Sequence, residues 1–286
     1  MRATTRLRTM FAAGKTLVAP GVFDGLSARL VEQAGFPAIY ASGGAMARAS
    51  GVPDIGLISP DEIVARLASI VEVVTVPVIA DADTGYGNAL NAQRAARAFE
   101  RAGVAAFHLE DQTFPKRCGH YDDKALVPTA EMVQKLKAVR DALHDTDLVV
   151  IARTDAIAVE GFSAAVERAS AYIDAGADMI FVEAPTTEAE IAAIGERLPG
   201  WKLINMFQGG KTPLLPAARL EQLGYHLVII PSDTQRAAIK AMQRVLAVIA
   251  RDGSAAAMAE DMASFQEREA VIGTAGFLER DKRYAS

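Results

Sequence analysis

The 286-residue chain has a single cysteine, Cys118. One thiol closes no internal disulfide, which excludes a secreted scaffold built on bridges and leaves the cytoplasm as the default compartment. No run approaches about 18 consecutive apolar residues, so no membrane-spanning helix is expected. Positive charge is not in excess either. The 30 Lys and Arg stand against 35 Asp and Glu, a net charge of −5, which lacks the electrostatic footprint of a nucleic-acid binder. Linkers, low-complexity segments and short repeats are missing. The N-terminus carries Arg2, Arg6 and Arg8 with no acid before Asp24, and Lys15 interrupts the only apolar run that a secretory signal could use. These arginines suit an amphipathic first helix, with a short mitochondrial transit segment as the competing reading.

What is present is core material. Hydrophobic residues make up 51% of the chain, and they fall into eight short β-prone runs: Thr16–Ala19, Ala38–Ala41, Pro77–Ala80, Ala106–Glu110, Leu148–Ala152, Asp178–Glu183, Lys202–Asn205 and Leu227–Ile230. Most lack polar alternation, as strands buried on both faces of a parallel sheet do. Segments of helical period lie between them, at Leu26–Ala34, Asp61–Val71, Ala89–Ala102, Thr129–Leu143, Phe162–Ala175, Glu188–Arg197 and Leu215–Leu223. Several end at a glycine, namely Gly35, Gly103, Gly176 and Gly224, as helix C-termini commonly do. Eight strands alternating with helices predict a single α/β domain over 1–286, a (β/α)8 TIM barrel, a fold of typically about 250 residues. An open doubly wound sheet would show a Gly-rich phosphate turn after its first strand, and Pro20-Gly21-Val22-Phe23-Asp24 is not one. Residues 237–286 read as a polar, C-terminal helical extension, longer than one covering helix needs, that packs under the barrel or reaches a neighbouring subunit.

Active sites of such barrels sit at the C-terminal ends of the strands. Polar groups concentrate there: Ser42-Gly43-Gly44, Asp81-Ala82-Asp83, Glu110-Asp111-Gln112, Arg153-Thr154-Asp155, Glu183, Asn205 and Pro231-Ser232-Asp233 with Arg236 following. Asp81, Asp83 and Glu110 form an oxygen-rich, histidine-free set suited to Mg²⁺ or Mn²⁺, although an isolated Asp-x-Asp also serves in turns and caps. Gly43 and Gly44 expose backbone N–H groups to an anion, or make a plain turn. Arg153, Arg236 and Asn205 offer donors to carboxylates, and Arg153 could equally pair with Asp155 or Glu183. A lone cysteine is most often a small buried hydrophobe. Cys118, however, lies in Lys116-Arg117-Cys118-Gly119-His120, where cations favour the thiolate and a mobile loop could carry a general acid or base. His108 reads as core or as support to the site, and Trp201 as packing.

The Lys116–His120 run resembles the signature of isocitrate lyase and 2-methylisocitrate lyase. Ser42-Gly43-Gly44, Asp81 to Gly87, Glu110-Asp111-Gln112, Arg153-Thr154-Asp155 and Val182-Glu183-Ala184-Pro185 are similar to the other signatures of the isocitrate lyase/phosphoenolpyruvate mutase superfamily, over about Leu7 to Arg236. The resemblance implies a homotetramer, a dimer of dimers whose last helix is exchanged between subunits. It implies Mg²⁺ held through Asp81 and Asp83 with Glu110 beside them, and a small carboxylic acid bound by Ser42, Gly43, Gly44, Gly119, Asn205, Arg236 and Arg153. The cysteine points to the carbon–carbon lyase branch. Phe207 stands where methylisocitrate lyases have Thr, and Phe265 where they carry a further arginine. Both losses favour a smaller acid such as 2,3-dimethylmalate. Pro231 stands where oxaloacetate hydrolases tend to have Ser. The expected reaction is a retro-aldol cleavage with Tyr40 as base, Cys118 as acid, and His120 and Glu183 around the leaving fragment. Oxaloacetate hydrolysis or decarboxylation on the same metal site, and a non-catalytic ligand-binding barrel, are the alternatives.

Overall fold

In the computed structural model, which describes residues 1–117, 119 and 123–285, eight parallel strands close into a barrel in sequence order. They are β1 (Leu17–Val22), β2 (Ile39–Ala41), β3 (Val78–Asp81), β4 (Ala106–Glu110), β5 (Val149–Thr154), β6 (Met179–Val182), β7 (Trp201–Asn205) and β8 (Leu227–Ile230). The expected (β/α)8 architecture is therefore the observed one. β1 runs three residues beyond the predicted run, through Pro20-Gly21-Val22. There β1 pairs with both β2 and β8, and Gly21 is packed so closely on Pro231 that an added Cβ would fall 2.1 Å from its carbonyl oxygen.

Local chemistry sets the helix boundaries. Asp24, Ser59 and Asn88 cap the helices Gly25–Gln33, Pro60–Glu72 and Ala89–Ala102 with reciprocal side-chain to backbone bonds. The Ser42-Gly43-Gly44 stretch is not a loop. Ser42 caps a short helix, Gly43–Ala49, that sits directly on the mouth.

Two cores result. Outward-facing strand residues such as Val78, Ala80, Phe107, Leu109 and Val150 meet the surrounding helices. The alternate residues, including Tyr40, Ile79, Ile151, Phe181, Leu203 and Ile229, fill the barrel interior. The helix Ala3–Ala12 plugs the lower end, with Leu7 and Phe11 fully buried beside Trp201. Its arginines are spent there, Arg2 on Asp145 and Asp147 and Arg8 on Asp178. This is the amphipathic first helix of the sequence reading.

The C-terminal region forms the helices Asp233–Asp252, Phe265–Ile272 and Thr274–Tyr284. Helix Phe265–Ile272 lies against Gly25–Gln33, where Gln33 Nε2 donates to the Val271 carbonyl. Helix Asp233–Asp252 leaves Ile239, Met242, Leu246 and Ile249 exposed. Among the described residues no helix is long and apolar enough to cross a membrane.

Candidate active site

Because strand side chains alternate, residues two apart on each strand share the barrel interior. The last interior position is polar on most strands: Asp81, Glu110, Arg153 and Asn205 end or nearly end theirs, and Glu183 follows β6. Above Tyr40, Phe181 and Ile229, all of these but Glu110 line a cavity of about 150 Å³, together with Ser42, Gly44, Gly119, Phe207 and Pro231.

Asp81 sits on one wall. Its Oδ1 accepts the Asp83 backbone N–H at 3.0 Å, and its Oδ2 lies 3.4 Å from Tyr40 Oη. Gly43 backs it so tightly that a Cβ would come within 2.7 Å of Oδ2. Asp83, in the left-handed region at φ 46, turns its carboxylate to Lys116 Nζ at 3.0 Å. Lys116 also pairs with Asp54. Burial pushes the Asp83 carboxyl up to about 6, against Lys116 and with help from Asp81 and Asp54. Burial works against the Lys116 charge, but Asp83, Asp54 and Glu110 outweigh it and keep the amine well above its ordinary value.

Arg153 forms the opposite wall. Its Nε and Nη2 grip Asp155 at 2.9 and 3.1 Å, Nη1 reaches Glu110 Oε2 at 3.1 Å, and Nη2 lies 3.9 Å from Glu183. Arg153 is ion-paired with Asp155 and Glu183, as one reading of it expects, and it also lines the cavity. Burial raises the Glu110 carboxyl, with Arg153 opposing and Asp155 adding. Asp155 is fixed in turn by Asp111, whose carboxylate accepts the Asp155 N–H, Thr154 Oγ1 and Tyr172 Oη.

Tyr40 Oη also lies 2.8 Å from His108 Nε2 in the barrel centre. Burial lowers His108 to about 4, so the ring is neutral. Burial, reinforced by Asp81, lifts the Tyr40 phenol well above its usual value, with Arg153 and Lys116 pulling the other way. Tyr40 therefore carries its proton unless further positive charge is nearby.

The structure sorts the expected residues. Tyr40, Ser42, Gly44, Asp81, Gly119, Arg153, Glu183 and Asn205 line one cavity. Gly43, Asp83 and Glu110 lie directly behind that lining. Arg236 does not join them. It stands at the start of helix Asp233–Asp252, half exposed, stacked 5.4 Å over Phe207 and donating to the Gln208 carbonyl. Phe265 is exposed on its helix. Cys118 and His120 lie outside the described residues.

The expected metal trio is not drawn together. Glu110 faces Arg153, and among the described residues no group of three His, Cys, Asp or Glu converges as a ready-made ligand set. Mg²⁺ commonly uses one or two carboxylates and keeps several waters. Buried Asp81 beside Asp83, facing open cavity, with Glu110 Oε1 lacking a hydrogen-bond partner among the described residues, fits that mode. Sequence reasoning missed Asp54, Lys116 as the partner of Asp83, Arg48 on the cavity rim, and Asp155 with Lys124. Asp54 and Arg48 had no strand end to mark them.

The family model described as phosphoenolpyruvate phosphomutase matches residues 7–250. The 2,3-dimethylmalate lyase of Eubacterium barkeri is 42% identical, over 100% of this chain and 99% of its own. The 2-methylisocitrate lyase of Bacillus subtilis (strain 168) is 43% identical, over 98% and 92%. A crystal structure of 2,3-dimethylmalate lyase, a PEP mutase/isocitrate lyase superfamily member, superposes with a TM-score of 0.95 at 36% identity, covering 100% and 96%. Oxaloacetate acetylhydrolase with 3,3-difluorooxalacetate superposes at 0.92 and 30%, covering 98% and 96%. Phosphonopyruvate hydrolase with oxalate and Mg²⁺ does so at 0.91 and 34%, covering all of both chains.

Proposed function

Since this chain belongs to the PEP mutase/isocitrate lyase superfamily, we propose that it is an oxo-acid lyase. It cleaves the C2–C3 bond of a short 2-hydroxy dicarboxylic acid of the 2,3-dimethylmalate type, giving a 2-oxo acid and a carboxylic acid. The observation that carries this reading is the small cavity in which Tyr40, Asp81, Arg153, Glu183 and Asn205 converge while Phe207 and Pro231 narrow the side beside Asn205. The 2-methylisocitrate type carries a third carboxylate, and Phe265 stands where the resemblance expects an arginine for it.

Asp81 and Asp83 would hold Mg²⁺ or Mn²⁺, with Glu110 behind them. Such an ion supplies positive charge that steadies the oxyanion at C2 and offsets the hold of Asp81 on the Tyr40 proton. Ser42, Gly43 and Gly44 orient the 2-hydroxy acid end. Tyr40, acting as the phenolate once that positive charge has let its own proton leave to solvent, takes the proton from the C2 hydroxyl, and the electron pair of the C2–C3 bond moves to C3 as C2 becomes a carbonyl. Arg153 faces the developing oxyanion from a site that excludes bulk water, where a fixed charge is worth far more than in solvent. Cys118 then gives its proton to C3. His120, Glu183 and Asn205 surround that fragment, with Gly119 against Arg153.

The chain acts as one domain over 1–286 with residues 237–286 as its helical extension, in the cytoplasm, and as a homotetramer with an exchanged C-terminal helix. The exposed apolar residues Ile239, Met242, Leu246 and Ile249 support that assembly. Screening 2-hydroxy diacids with Mg²⁺ for a 2-oxo acid product, in wild type and Cys118→Ala, tests the reading. Oxalate and acetate from oxaloacetate as the faster reaction would replace it with the hydrolase, and metal binding without turnover of any diacid would leave a binding barrel.

A further inference from the structure

Lys124 lies outside the cavity yet touches two residues that matter to it. Its side chain is 1% exposed, and that of its partner Asp155 is fully buried. Nζ bonds Asp155 Oδ1 at 2.8 Å and the Gly119 carbonyl at 2.5 Å. Asp155 Oδ1 is the same oxygen that Arg153 Nη2 reaches at 3.1 Å. Lys124 and Arg153 therefore share one buried carboxylate oxygen.

Gly119 fixes the other end of this arrangement. A Cβ there would fall 2.6 Å from Arg153 Nη2 and 3.0 Å from the Glu183 carboxyl carbon. Only bare backbone fits so close to the guanidinium, and Lys124 is what ties that backbone down. The charge count agrees. Around Arg153 stand three buried acids, Glu110, Asp155 and Glu183, at 3.1, 2.9 and 3.9 Å. Lys124 adds a second cation on Asp155 among the described residues, while Lys116 is paired with Asp54 and Asp83. Without Lys124, Arg153 is left as the cation that contacts Asp155 among the described residues. Asp155, already bidentate on the guanidinium, then turns its whole charge on Arg153.

We propose that Lys124 is a positioning residue for this site. It holds Gly119 against Arg153 and takes up part of the Asp155 charge, so that Arg153 stays available to an oxyanion in the cavity. This rests on the reading of the cavity as a 2-oxo-acid site.

The test uses the full chain with saturating Mg²⁺ and oxalate as the probe, a planar diacid that needs no turnover. Calorimetry gives the oxalate Kd for wild type, Lys124→Met and Lys124→Arg, alongside kcat, KM and Tm. Lys124→Met is expected to weaken oxalate roughly 10- to 100-fold, the worth of one charge-assisted hydrogen bond, at temperatures where it is folded, and to lower kcat more than it raises KM. Lys124→Arg should recover most of the oxalate affinity. Should Lys124→Met not fold, Gly119→Ala separates the same backbone from Arg153 without removing charge, and the same weakening is expected. Oxalate affinity and kcat within twofold of wild type, in whichever of Lys124→Met and Gly119→Ala folds, would overturn the proposal and leave a merely structural ion pair. Wild type that binds no oxalate with Mg²⁺ would instead overturn the reading of the cavity.

Discussion

Glu110 and Arg153 are register partners on adjacent strands, and their side chains meet inside the barrel with Nη1 3.1 Å from Oε2. The pairing follows from the shear of the barrel, which sets the final residue of β4 beside the penultimate residue of β5. It places a guanidinium at the cavity wall without any loop having to be ordered.

That relationship makes Arg153 sensitive to shape as well as charge. Arg153→Lys keeps the charge but loses the fork that grips Asp155 and the reach to Glu110. We expect kcat/KM for the 2-hydroxy diacid to fall about 10²- to 10³-fold, the cost of removing an oxyanion donor, and Tm to fall as well, because Asp155 and Glu110 are left underpaired in a buried site. Steady-state kinetics beside thermal melts check this.

Of the two carboxylates proposed to hold the metal, Asp81 lines the cavity and Asp83 lies behind it. Asp81→Asn should weaken Mg²⁺ binding at least tenfold by calorimetry, in line with about 1.5–3 kcal/mol for one charged interaction. Exhaustive chelation of wild type should abolish turnover, and added Mg²⁺ or Mn²⁺ should restore it. Turnover that survives chelation would remove the metal from the account.

At the opposite end of the barrel, stability and activity separate. Phe11 is 1% exposed beneath Trp201. Phe11→Ala opens a cavity there and should cost about 3–5 kcal/mol by denaturant titration. The kcat of the folded fraction should stay within about twofold, because the chemistry of this fold sits at the C-terminal mouth, away from the bottom.

Much of this was legible beforehand. Continuous apolar runs gave eight strands because a parallel barrel buries both faces, and the strand-end rule then collected Asp81, Glu110, Arg153, Glu183 and Asn205 without knowledge of their contacts. Three kinds of feature were not legible. Asp54 and Lys116 meet across separate loops 62 residues apart, and no periodicity links them. Ser42-Gly43-Gly44 reads equally as backbone N–H groups open to an anion or as a plain turn, and neither reading foresees that Ser42 caps a helix. Arg236 reads as a site residue from its place after β8. Instead, the first turn of a long helix carries it onto the outer face of Phe207.

Gly21 is a position where packing rather than chemistry forbids change. Its absent Cβ would sit 2.1 Å from the Pro231 carbonyl, so Gly21→Ala must push β1 away from the end of β8. We expect a loss of about 1–3 kcal/mol from overpacking together with a changed cavity wall at Pro231, seen as a lower Tm and a raised KM.

The central claim, cleavage between C2 and C3 with protonation at C3, is tested most directly by NMR of 2,3-dimethylmalate incubated in D₂O with the Mg²⁺-loaded protein. The account predicts equimolar pyruvate and propionate, with one deuterium at C2 of the propionate, and its loss in Cys118→Ala. Absence of pyruvate, or unchanged turnover in Cys118→Ala, would contradict it.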